Sequence, residues 1–151
     1  MALLYRDFLV DLHKLPEEIY RLDSNYWLHG YLVNTYRELK ILKILKSKGK
    51  KSAWLWSEIA DEIEEIEIPY EHGLSIIENA KNIAIIEKDV FADHVWDISF
   101  YHGNLEGLVT STLTLSPVKP YSSLTILPPW VRDDITDNPY YKEPVLAKLS
   151  L

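Results

Sequence analysis

The sequence predicts an α+β fold with N-terminal helices, a central three-helix unit closed by a β-hairpin, and a proline-rich β or extended C-terminal region. Three observations carry this expectation. Apolar residues recur at three- and four-residue steps through about residue 46. Two apolar runs, IAIIEKD and HVWDISF, follow the segment HGLSIIENAKN. Six of the eight prolines lie between Pro117 and Pro144, which denies that region a long helix.

The elements follow in order. Residues 5–22 read as helical, interrupted by Pro16, which suits the first turn of a new helix carrying Glu17 and Glu18 at its positive end. Asp23 and Ser24 offer N-cap oxygens for a long helix to about Lys46, with Leu28, Leu32, Leu39, Leu42 and Leu45 along one stripe. Gly49 is placed to end it in a left-handed conformation. A short strand is expected at Trp54 to Trp56, then a second helix with Ile59, Ala60 and Ile63 inward. Pro69 opens a third helix, with Leu74, Ile77 and Ala80 on one face. Residues 83–100 form two antiparallel strands about a turn at Phe91 to His94. The alternating run VTSTLTL predicts a strand over residues 109–115, and Ser122 to Leu127 is a weaker strand candidate.

At 151 residues, 47% hydrophobic and 26% charged, the chain is long enough for one sizeable core. No apolar run approaches the ~18 residues of a spanning helix, so no membrane association is expected. There is no cysteine, which excludes disulfides, thiolate metal sites and a cysteine nucleophile, and a cytoplasmic location is the expectation. The net charge of −7 argues against broad contact with phosphate backbones, which needs concentrated Lys and Arg.

The order of LKILKILKSKGK, SEIADEI, HGLSIIENAKN and the two apolar runs resembles the winged-helix superfamily over residues 38–100. That resemblance implies a helical and winged-helix domain over residues 1–103 and a proline-rich extension over 104–151 packed on it. By position, the outward face of the third helix is Glu71, His72, Ser75, Glu78, Asn79 and Asn82. Asn79 and Asn82 suit adenine edges, whereas Glu71 and Glu78 repel phosphate. The expected function is therefore a non-catalytic regulator or accessory subunit of a nucleic-acid machine. It would bind a protein partner through Glu71, Glu78, Trp130 and Arg132, with double-stranded DNA as an auxiliary contact. Lys43, Lys46, Lys48, Lys50 and Lys51 are the phosphate-facing candidates. The rival is a sequence-specific DNA-binding transcriptional regulator, dimeric through its N-terminal helices. A second alternative is a small metal-dependent nuclease.

Little in the sequence points to chemistry. Asp93, His94, Asp97 and His102 could supply metal donors, but strand alternation divides them between faces. Glu38 and Lys40 have the letters of a nuclease motif within a helical pattern. There is no nucleophile elbow and no glycine-rich phosphate loop. No enzyme activity, no cofactor and no metal are expected.

Overall fold

Hairpins, not helices, organise the chain in the computed structural model, which describes residues 4–115 and 127–149. The strands are β1 (Leu4–Val10), β2 (Ser24–Asn34), β3 (Glu38–Ser47), β4 (Lys50–Ile59) and β5 (Glu62–Ile68), followed by β6 (Ala84–Asp93), β7 (Trp96–Tyr101), β8 (Val109–Leu115) and β9 (Val131–Asp134). Two α-helices, α1 (Tyr70–Asn79) and α2 (Glu143–Leu149), complete the regular structure among the described residues. Every strand joins one antiparallel sheet in the order β5-β4-β3-β2-β6-β7-β8-β1-β9.

Local turn chemistry starts these hairpins. Lys48 and Gly49 (φ 49° and 77°) and Ala60 and Asp61 (φ 50° and 65°) form two-residue loops with left-handed backbone at both positions. Such loops match the twist of the strands they join. Between β6 and β7 the flanking pair is Asp93 with Trp96, leaving His94 and Val95 as the loop.

The two faces of the sheet are treated differently. On one, α1 packs over Leu42, Ile44 and Ala53, with Leu28, Leu74 and Ile77 around them. The approach is close at Gly73, where an added Cβ would lie 2.9 Å from the Ala53 Cβ. Further along the same face, Phe8, Ile98, Leu113, Trp96 and Trp130 form a second core, covered by Leu15 and Ile19 from short 3-10 turns. Leu42, Ile98 and Leu113 are fully buried, each contributing about 2 kcal/mol through lost apolar exposure.

The opposite face is concave. Lys43 of β3 and Thr112 of β8 are four strand steps apart, about 19 Å in a flat sheet at the usual spacing. Both nevertheless line one cavity of about 290 Å³, so the sheet curls around it.

The winged-helix reading is overturned by this architecture. The expected long helix to Lys46 is the β2–β3 hairpin, and the expected second helix is the β4–β5 hairpin. Residues 4–22 form β1 and two 3-10 turns, so among the described residues the expected N-terminal α-helices are absent. The physical cause is visible in β3: Ile41 packs on the concave side, Leu42 and Ile44 on the other. A strand apolar on both faces loses its two-residue alternation, and Leu39, Leu42 and Leu45 then imitate helical steps. The helix after Pro69 and the strand pair after it do form, as α1 and β6–β7, but within a nine-stranded sheet. The run VTSTLTL is β8, in the same sheet as β1 to β7; the candidate at Ser122 to Leu127 lies outside the described residues except for Leu127, which is in no strand.

Candidate functional site

The concave face carries polar residues that a closed apolar core would exclude. His29 and Lys43 are direct cross-strand partners, and so are Lys88 and Tyr101, Ser99 and Thr110, and Asp7 and Thr112. Side chains of paired residues share a face in an antiparallel sheet, so these eight converge on the same interior. The cavity of about 290 Å³ is bounded by Trp27, His29, Lys43, Lys88, Val90, Asp97, Ser99 and Thr112. A second, of about 180 Å³, shares Lys88, Ser99 and Thr112 and extends to Asp7, Tyr101 and Glu143.

Glu143, the first residue of α2, sits at the centre of this polar set. Its Oε1 accepts a hydrogen bond from the Tyr31 hydroxyl at 3.0 Å and also meets His29 Nδ1. Its Oε2 accepts from Lys88 Nζ at 3.0 Å. The helix is held in place by Asn34 Nδ2, which donates to the Pro144 carbonyl at 2.8 Å, and by Leu146 and Ala147 against Tyr31, Ile41, Ala84 and Ile86.

The electrostatics follow from this packing. Burial alone would raise the Glu143 carboxyl, but His29 and Lys88 outweigh it and hold the group far below the usual carboxylate range. Burial pulls Lys88 down, yet the Glu143 charge prevails and its ammonium is held above the ordinary lysine value. Burial, reinforced by Glu143, pushes the Tyr31 phenol up, so it remains a hydrogen-bond donor. Elsewhere on the face Thr112 Oγ1 donates to Asp7 Oδ1 at 2.7 Å. Lys43 Nζ lies 3.5 Å from Glu65 Oε2 and 3.9 Å from the Trp56 ring centroid, a cation–π position. An ammonium, an imidazole and hydroxyl donors around a common cavity are chemistry suited to anionic oxygens.

Of the lysines singled out in the sequence, Lys43 reaches this interior. Lys48 and Lys50 line a groove beside Leu45 and Trp54, and Lys48 pairs with Asp23 at 3.7 Å. Lys46 lies over the Tyr26 ring and Lys51 over Tyr70, on exposed positions. Glu71, Glu78 and Asn79 are exposed on α1, where Asn79 Nδ2 donates to the Ser75 carbonyl at 2.8 Å. Asn82 lies beyond the helix with φ 60°. Trp130, expected as a docking anchor on an extended arm, is 4% exposed and stacks edge-on to Trp96 at 5.0 Å. Arg132 is exposed beside Asp133.

His94 is on a loop and His102 pairs with Asp89 at 2.7 Å, so neither joins Asp97 on the concave side. Among the described residues no group of three or more His, Asp or Glu converges to hold a metal ion. Glu38 and Lys40 of the nuclease-like letters simply pair with each other at 3.6 Å. Sequence reasoning missed His29, Tyr31, Lys88, Thr112 and Glu143. The available sign was polar residues in strand alternation: Thr110, Thr112 and Thr114 in β8, and Lys88 between Ile86 and Val90 in β6.

No family model matches the sequence, and no curated protein matches it. Among solved structures the chain is similar over 100% of its length, and 97% of the other chain, to a protein described as the inorganic triphosphatase NE1496, with a TM-score of 0.74 and 20% identity. A second structure, described as the hypothetical protein NE1496, gives a TM-score of 0.72 and 20% identity over 97% of each chain. At this identity the likeness establishes the fold. It also corrects the functional expectations: a winged-helix regulator, DNA reading and transcriptional control have no structural basis in this sheet. The expectation of a non-catalytic protein was drawn from the winged-helix reading and falls with that fold, and the Glu38 and Lys40 letters behind the nuclease alternative pair with each other on β3. No helix among the described residues is long and apolar enough to cross a membrane.

Proposed function

We propose that the chain is a phosphohydrolase that binds a small molecule carrying a linear triphosphate in the concave face and cleaves a phosphoanhydride bond. The observation that carries this reading is the set Lys43, His29 and Lys88, which come from three neighbouring strands and face one cavity. The similarity to a structure described as an inorganic triphosphatase gives the reading its substrate class.

Phosphoryl transfer asks little covalent chemistry of a protein, so positioning and charge stabilisation carry the rate. Water oxygen bonds to the terminal phosphorus as the bridging P–O bond breaks, and the electron pair leaves on the bridging oxygen. Inorganic triphosphate then yields diphosphate and orthophosphate. Lys88 and Lys43 stabilise charge on the phosphate oxygens, and Ser99 supplies a hydroxyl donor that orients the substrate, the one Thr112 hydroxyl proton being directed at Asp7. Asp97, on the same cavity, is the carboxylate placed to take the water's proton. A divalent cation, where one takes part, would neutralise negative charge on the phosphate chain. The described residues do not provide a converging donor set for one, so no step is routed through a protein-held ion. A cytoplasmic location, consistent with the absence of cysteine, belongs to the same proposal.

The test is orthophosphate release from inorganic triphosphate, with and without added magnesium, by the native chain and by Lys88→Ala. Release by the native chain, lowered at least about 100-fold in the variant, supports the reading, that factor being what one preorganised charge contributes. Release that is unaffected by the substitution, or none under any condition, removes it.

A further inference from the structure

The geometry points to α2 as a self-inhibitory strap: we propose that the Glu143 carboxylate occupies the place of a substrate phosphate, and that α2 must leave before Lys88, His29 and Tyr31 can engage a ligand. This rests on the triphosphate reading above and extends it to regulation of the same site.

Both oxygens of Glu143 are taken by groups of the concave face: Tyr31 and His29 on one, Lys88 on the other. An anion with two oxygens facing an ammonium, an imidazole and a phenol copies the demands of a phosphate edge. While α2 is docked, the Lys88 N–H and the Tyr31 hydroxyl directed at Glu143 are not offered to an incoming phosphate, and a phosphate drawing Lys88 away would face a carboxylate stripped of a partner and be repelled at short range. Glu143 is 114 residues from His29 in sequence and arrives on a helix of only seven residues near the C-terminus. Besides Glu143, Leu146 and Ala147 pack against the sheet and Asn34 bonds to Pro144, while Lys148 and Leu149 are exposed. A seven-residue helix opens at lower cost than the nine-stranded sheet beneath it. Charge is also balanced while α2 is docked. A buried ammonium needs a partner, and Glu143 supplies one when no ligand is present. Ligand and α2 are then alternatives for the same cations, and each ligand bound shifts the population toward the open strap.

The experiment measures inorganic triphosphate binding by calorimetry to the full chain, to Glu143→Gln and to Leu146→Ser, together with hydrogen exchange of residues 143–149. Gln keeps the volume and the hydrogen-bonding oxygen but removes the charge; Leu146→Ser loosens the helix without touching a polar group. Affinity at least tenfold tighter in both variants, with amides of α2 exchanging faster in the native chain when triphosphate is added, is the expected result. Affinity unchanged or weaker in the variants that remain folded by circular dichroism, or slower exchange of α2 with ligand, overturns it, since α2 would then be a lid that helps binding. If the native chain releases phosphate in a Lys43-dependent manner while neither variant binds more tightly, the strap proposal alone falls. If none of the three chains binds triphosphate, the triphosphate reading falls and this inference with it.

Discussion

Glu143 and Lys88 set the pH dependence of the folded state at the level of single residues. The Glu143 carboxyl is depressed in the folded chain, so its stabilising effect is present above the unfolded value near 4.5 and is lost as pH falls toward the depressed one. Lys88 is shifted the opposite way: its contribution is complete below the unfolded value of 10.5 and is lost only as pH rises through the raised one. The pair therefore contributes fully and without pH dependence around neutrality, and its contribution is lost at both extremes. Glu143→Gln should lose less stability than the native chain between pH 5 and pH 2, as followed by urea midpoints. An equal loss in both chains would mean that the carboxylate is not held by its partners. Lys88→Ala should cost about 3 kcal/mol at neutral pH, since it leaves a buried carboxylate short of one partner. Chemical denaturation measures this directly.

Among elements, α1 and β3 make opposite points about what the sequence reveals. The α1 helix was legible because Pro69 opens it and Leu74 and Ile77 lie at helical spacing on the face that packs against the sheet. Gly73 was not singled out, although the helix depends on it to reach Ala53. Gly73→Val should destabilise by about 1–3 kcal/mol through overpacking. Triphosphate affinity should be unchanged, because α1 lies on the face away from the cavity; a loss of binding without a loss of stability would place the ligand elsewhere. The strand β3 was hidden by its burial on both sides. Its one interruption on the concave face is Lys43, between Ile41 and Leu45. The same substitution of charge for apolar side chain that breaks the strand pattern marks the site. The turns Lys48-Gly49 and Ala60-Asp61 are the local features that could have separated hairpins from helices, but only the first contains glycine, and neither is the Asn-Gly form that announces such a turn.

At the scale of the whole molecule the site exists only through long-range pairing. The strand β1 lies between β8 and β9, and Asp7 reaches the concave face beside Thr112, which is 105 residues away in sequence. His29, Lys88, Thr112 and Glu143 come from three strands and a helix spread along the chain. No spacing motif joins them, which is why the composition of the site was invisible while the helix and hairpin between residues 70 and 101 were not. The curl of the sheet makes them neighbours, and the acidic net charge gives no sign that Lys43 and Lys88 gather with carboxylates around one cavity. The most direct check is an amide NMR titration with inorganic triphosphate. The account predicts that shift changes gather at His29, Lys43, Lys88, Ser99 and Thr112 and extend to Glu143. Changes confined to the exposed Lys46, Lys48 and Lys51 or to α1, with the concave strands unmoved, would contradict it.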